Sequence, residues 1–243
     1  MGSHFARWIL TDISPPQRQL SQQTIESARK LPERRQTRFL TARMLLAEML
    51  LHLYGIAPLP EIRLSPNGRP HFADPQLPDF SIAYASNIVG VLLAGEDGGV
   101  GLDMEIVRAH SRQALEQYSR EISPAEKAWV QAQTDPDEAA TQLWTIRQSI
   151  LKLTDNPEKE SLRLHPAAGR LRSLLQPQIE AFSDVEPLII WSCAHSHGCD
   201  RLSLWEVDDA GWKGLQTVPA GGHTTGSRAL RLVSLPPGKA MTL

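Results

Sequence analysis

The sequence predicts an α+β fold built from two related subdomains, and three observations lead there. Each half of the chain reads as a strand, then a long helical segment, then further strands, rather than the strict alternation of a doubly wound sheet. The 243 residues suffice for one large domain or two small ones, with 41% hydrophobic and 21% charged residues giving an ordinary globular composition. No repeat of solenoid length is visible. A chain of this size buries roughly 70% or more of its unfolded surface, so no disulfide or metal is required to hold it together.

Residues 5–13 read as a strand, closed by Pro15-Pro16. Met1-Gly2-Ser3-His4 is given no structural weight, because it has the look of a vector remnant. Residues 21–54 are helical in character, with Pro32 forcing an interruption. From about Arg34 onward, Phe39, Ala42, Leu46, Met49, Leu50 and Leu53 recur every three or four residues as an amphipathic stripe, and Gly55 is its stop. Asn67-Gly68 is a turn signal between short strand-like pieces of the Pro-rich stretch 58–78. Strands are expected at residues 80–84, 89–94 and 100–106. Ser123-Pro124-Ala125-Glu126 has the capping-box pattern with Pro at the first helical position, opening a helix to about Gln133. A second helix spans 136–153, and strands are expected near 162–164, 188–194, 202–207 and 230–233.

The net charge of −2 argues against nucleic acid or an anionic membrane as partner. No run approaches 18 apolar residues and no signal-peptide pattern stands at the N-terminus, so neither a membrane span nor a cleaved signal is expected. Two cysteines suit a reducing cytosol. The charge is uneven, however. Arg29, Lys30, Arg34, Arg35, Arg38 and Arg43 are opposed only by Glu33, and arginine recognises phosphate and carboxylate bidentately. A solvated helix face is the plain alternative.

The segment Gly99-Val100-Gly101-Leu102-Asp103-Met104-Glu105 is the most informative. On a strand, Asp103 and Glu105 point to one face, a spacing suited to a hard cation such as Mg²⁺ as well as to two solvated acids. Downstream, Gln148 and Lys152 stand four apart on one helical face. Gly101-Leu102-Asp103-Met104-Glu105 and Trp144-Thr145-Ile146-Arg147-Gln148-Ser149-Ile150-Leu151-Lys152 together resemble the paired signature of the larger, Sfp-like 4′-phosphopantetheinyl transferases. Ala42-Arg43-Met44, Asn67-Gly68-Arg69-Pro70, residues 80–85 and Ile122-Ser123-Pro124-Ala125-Glu126 are similar to that family's other landmarks, in order, over roughly residues 34–152.

The resemblance implies transfer of the phosphopantetheine arm of coenzyme A (CoA) to a serine of an apo carrier protein, acyl or peptidyl, leaving 3′,5′-ADP. It implies Mg²⁺ held by Asp103, Glu105 and Gln148, chemistry by Lys152, Gln148 and Glu105, and CoA contacts from Arg38, Arg43, Arg69, Tyr84, Arg147 and Lys152. It further implies the 4′-phosphopantetheinyl transferase fold with pseudo-twofold symmetry, subdomains 1–108 and 109–243, a site in the cleft between them, a monomer, and a cytoplasmic enzyme. Three departures stand out: the family's Lys-Glu pair is Arg147-Gln148, its motif histidine is Tyr84, and a Gly-x-Gly loop is replaced by Thr154-Asp155-Asn156-Pro157. A neutral amide ligates metal weakly and cannot act as a base. The alternative is an impaired relative that keeps CoA or carrier binding as a module without catalysis.

Other segments carry plainer readings. Cys193, His195, His197 and Cys199 cannot converge tetrahedrally from one straight strand, so Gly198-Cys199-Asp200 reads as a hairpin between strands 188–194 and 202–207. Trp144 reads as a core anchor, and Trp191, Trp205 and Trp212 as second-subdomain core or edge. The glycines near residue 221 lack the strand-to-helix context of a phosphate loop.

Overall fold

A computed structural model describes residues 2–11, 19–95, 98–106, 112–156, 158, 160–196, 199–219 and 228–234. The elements in chain order are β1 (Ser3–Ile9), α1 (Gln22–Arg29), α2 (Glu33–Tyr54), β2 (Ile62–Leu64), β3 (Pro70–Phe72), β4 (Phe80–Ala85), β5 (Ile88–Leu93) and β6 (Val100–Ile106). Then follow α3 (Arg112–Glu121), α4 (Pro124–Gln131), α5 (Pro136–Thr154), β7 (Arg163–His165), β8 (Arg170–Arg172) and β9 (Glu180–Val185). β10 (Ile189–His195), β11 (Arg201–Asp208), β12 (Gly211–Pro219) and β13 (Leu230–Ser234) complete the chain.

The fold is α+β. It divides into two compact units, one of residues 1–97 with 200–219 and one of residues 98–199 with 220–243. This differs from the expected split at 108/109, because β6 pairs with β10 and therefore belongs with the second unit, whereas β11 pairs with β1 in the first. The expected hairpin between strands 188–194 and 202–207 does not exist. β10 lies in the six-stranded sheet β6-β10-β9-β13-β8-β7, and β11 in the five-stranded sheet β12-β11-β1-β5-β4. Residue 198 and the glycine-rich stretch 220–227 lie outside the described residues.

Each unit sets one long helix against its sheet. In the first, α2 begins directly after Pro32 and ends at Gly55, whose φ of 68° is the left-handed C-cap suited to glycine. Its stripe, Leu45, Leu46, Met49 and Leu50, is fully buried with Ala6, Phe80, Val91 and Leu93. Ser3 and His4 are part of β1, contrary to the reading of them as a remnant, and the His4 ring accepts a hydrogen bond from the Trp205 indole at 3.1 Å. Trp205 and Trp212 pack in this first core, not in the second.

In the second unit, the capping box at Ser123 forms in full, and Asp135 caps α5 by accepting from the Glu138 N–H. Leu143, Ile146 and Ile150 of α5 are fully buried in a core with Leu164, Leu171, Ala181 and Leu232. Trp144 anchors this core and meets Tyr118 edge-on at 5.4 Å. Asp155 adopts φ 52° at the α5 C-cap, the left-handed position that glycine usually fills.

Candidate functional site

The site in the second unit starts from a glycine. A Cβ on Gly101 would lie 1.9 Å from the Ser149 carbonyl oxygen and 2.9 Å from the Leu153 nitrogen, so only glycine lets β6 approach α5 this closely. Two residues on, the same face of β6 presents Asp103, and two further on Glu105. The close approach brings the Lys152 ammonium onto Asp103 Oδ1 at 2.7 Å and onto the Leu102 carbonyl at 2.9 Å. Ser192 of β10 stands opposite Asp103, and its hydroxyl shares a 2.7 Å hydrogen bond with Thr145 of α5. Gln148 is half-buried one turn before Lys152, on the face that carries it.

Burial pushes the Asp103 carboxyl above the usual carboxylate range, while the Lys152 charge and hydrogen bond pull it back. Glu105 is also raised, by burial first and then by the charge of Asp103. Asp103 Oδ2 is buried without a hydrogen-bond partner. An orphaned carboxylate oxygen beside a second carboxylate one strand period away fits a hard divalent cation such as Mg²⁺. Among the described residues no group of three or more His, Cys, Asp or Glu side chains gathers in one place. Asp103 and Glu105 are thus two carboxylates that could hold such a cation, with further ligands from elsewhere.

Arg147 is not presented to a ligand. Its guanidinium reaches both oxygens of Glu126, at 3.1 and 3.3 Å, in a pair 9% and 1% exposed. This corrects its assignment to CoA: the residue before Gln148 points into the protein because α5 turns 100° per residue and Glu126, held by its own capping box, waits there. Glu126 was legible as a cap, whereas its second role was not.

In the first unit, Arg38, Arg43 and Tyr84 come together. The Arg43 guanidinium lies 3.3 Å above the Phe39 ring and hydrogen-bonds the Tyr84 phenol oxygen, with Arg38 close enough to act on the same phenol. Arg38 also donates to the Ser86 carbonyl in the turn after β4. Burial raises the Tyr84 hydroxyl and the two guanidiniums oppose it, so the phenol stays protonated at neutral pH. Arg69 stands apart, bonded to Asp79 at 2.5 Å and to the Phe80 carbonyl at 3.3 Å. Three residues of β4 lie between Phe80 and Tyr84, which sets the two about 13 Å apart at the rise of a strand. Asp79 and Ser86 carried no signal in the sequence that would have named them as partners.

Of the remaining candidates, two sit in the interior of β10. Cys193 and His195 are buried on β10, Cys199 lies beyond its end, and residue 197 lies outside the described residues. Burial lowers His195 to about 4 and raises Cys193 well above its ordinary value, so the first stays neutral and the second stays a thiol.

A glycine-tightened strand bearing Asp-x-Glu against a helix that supplies a lysine defines the class: the chain belongs to the 4′-phosphopantetheinyl transferase superfamily, whose model matches residues 99–208. The full length of the chain aligns at 43% identity over 250 residues with "Uncharacterized protein YieE" of Escherichia coli K12, covering 99% of that protein. The O6:H1 strain of the same species holds a relative of the same name at the same identity. A Haemophilus influenzae protein named "Putative 4'-phosphopantetheinyl transferase" is 32% identical over 114 residues, 44% of this chain and 47% of that one.

Proposed function

We propose that the protein is a Mg²⁺-dependent 4′-phosphopantetheinyl transferase of the holo-acyl-carrier-protein synthase type. It moves the phosphopantetheine arm of CoA to a serine of an apo carrier and acts as a cytoplasmic monomer. The observation that carries this reading is the Gly101 contact, which sets Lys152 on Asp103 and leaves Asp103 Oδ2 unpartnered beside Glu105. Asp103 and Glu105 would hold the cation, with Gln148 as a neutral third donor. The cation, when bound, supplies charge neutralisation at the pyrophosphate. Lys152 fixes Asp103 and adds a positive charge beside it. Arg38 and Arg43 are suited to phosphate oxygens, and the protonated Tyr84 phenol to donating a further hydrogen bond. Without a glutamate at 148, Glu105, whose carboxyl is raised by burial, is the group on β6 that we assign to receive the proton of the carrier serine.

A second reading, a carrier- or CoA-binding module without catalysis, is favoured by two features: Gln148 is an amide, and its neighbour Arg147 is sequestered by Glu126. Incubation with CoA, Mg²⁺ and apo carriers decides between them. A carrier mass gain of one phosphopantetheine arm supports the enzyme, and binding without any mass gain supports the module.

A further inference from the structure

The second unit holds a cavity of about 350 Å³ that the carboxylates of β6 do not line. Its walls include Trp129 from the last turn of α4, Asp135, Glu138 and Gln142 from the cap and first two turns of α5, and Arg228 and Leu230 at the start of β13. Gln142 stands ten residues before Lys152, about 15 Å along the helix axis, so this is a separate place on the chain. The volume falls at the low end of the roughly 300–1,000 Å³ of small-molecule sites.

Acceptors dominate the lining. Asp135 and Glu138 bring two carboxylates. Gln142 is 5% exposed, and its Nε2 donates to the Arg228 carbonyl at 2.7 Å. Only the nitrogen side of an amide can meet a carbonyl, so the side chain is fixed in orientation, and its Oε1 has no hydrogen-bond partner among the described residues. An amide oxygen held in the wall of a cavity and left open calls for a donor. The N-terminus of α5 does not make the cavity an anion site. Pro136 has no N–H to offer, and the Asp135 carboxylate already accepts from the Glu138 N–H at 3.1 Å.

The cation in the lining is Arg228. Its guanidinium meets Glu138 at 3.5 Å, longer than the roughly 2.7–2.9 Å of a charge-assisted hydrogen bond. The Glu138 side chain is 14% exposed and that of Arg228 59%, so the carboxylate belongs to the wall while the guanidinium can turn out to water. The chain's own arginine thus marks the kind of group that this wall attracts. Trp129 adds an aromatic surface and Leu230 an apolar one.

We propose that this cavity binds a small organic cation, an ammonium or guanidinium carried on an apolar or aromatic body. The charged head displaces Arg228 from Glu138 and donates to Glu138 and to Gln142 Oε1, while the body lies against Trp129 and Leu230. This site is independent of the transferase reading.

The test uses the full chain without CoA or carrier and three probes of one shape: cationic benzamidine, neutral benzamide and anionic benzoate. Binding is followed by NMR at the backbone amides of residues 138, 139 and 228–230. Benzamidine should bind and move these signals, with benzamide tenfold weaker or more and benzoate weaker still. Glu138→Gln should weaken benzamidine about tenfold or more, and Asp135→Asn, which keeps a capping acceptor, severalfold. Arg228→Ala should tighten it about threefold or more, because the competing guanidinium is gone, whereas a site for an anion would lose binding on the same change. Should Glu138→Gln lower the melting temperature, the opposite signs of Asp135→Asn and Arg228→Ala carry the test. Absence of benzamidine binding, benzamide binding as tightly, or weaker binding by Arg228→Ala overturns the proposal. The mass of a carrier incubated with CoA bears on the transferase reading alone.

Discussion

Replacing Gly101 with alanine is the sharpest test of how this site is assembled. The new methyl would sit 1.9 Å from a backbone carbonyl oxygen of α5, and an ordinary carbon–oxygen contact is about 3.3 Å or more, so strand and helix must part by roughly 1.4 Å. The obstacle is helix backbone, which cannot rotate aside as a side chain could. Overpacking of this kind costs about 3 kcal/mol, at the upper end of the usual range, which lowers the melting temperature by roughly 6–12 °C for a chain of this size. The same displacement pulls Lys152 from Asp103, so any transferase activity should fall further than stability alone explains. Gly214→Ala is the matched control. Its Cβ would meet the Trp205 ring at 3.6 Å, an ordinary contact, and the change should be neutral or slightly stabilising. Thermal melts followed by circular dichroism compare the two. Equal melting temperatures for both variants would refute the close-approach account of the Gly-x-Asp-x-Glu strand.

Arg147→Ala should destabilise by about 3–5 kcal/mol in urea titration, because it leaves Glu126 charged and buried without its partner. A loss below about 1 kcal/mol would return Arg147 to the list of ligand-binding candidates. Gln148→Glu should tighten Mn²⁺ binding by about tenfold or more, read by titration in the absence of CoA; no change would remove residue 148 from the cation site. His195 titrates at about 4 when folded and near 6.5 when unfolded, so between these values the unfolded chain binds more protons. Its contribution is complete above pH 6.5 and is lost as pH falls toward 4, amounting to about 3 kcal/mol at the low end. His195→Asn should flatten that part of the stability–pH curve, and an unchanged slope would place the dependence on other groups.

Local signals carried well from sequence to structure. The Ser123 capping box, the Asn67-Gly68 turn, the Pro32 break and the Gly55 stop act within a few residues, and each appears where the pattern put it. The α5 face was legible for the same reason, since helical periodicity alone places Lys152 one turn beyond Gln148. Strand pairing was not legible. β10 and β11 are separated by only a few residues, and nothing there signals that the chain changes sheets. β11 instead runs parallel to β1, some two hundred residues earlier. β8, β9 and β12 were missed because weak alternation, as in Gly211–Pro219, gives no clear period. Within the site, the carboxylate pair was visible from its spacing. The fate of Arg147 depended on α4 packing against α5, and that of Arg69 on Asp79 ten residues away, neither of which leaves a trace in a short window.

On the proposed reading, a site with Gln148 where the resemblance expects a carboxylate still supports phosphopantetheinyl transfer. Intact-mass measurement of apo acyl and peptidyl carriers, incubated with the protein, CoA and Mg²⁺, tests it directly. The carrier serine should gain one phosphopantetheine arm, a gain abolished by Asp103→Ala and accelerated by Gln148→Glu. A folded protein that leaves every carrier at its apo mass, with and without Gln148→Glu, contradicts it.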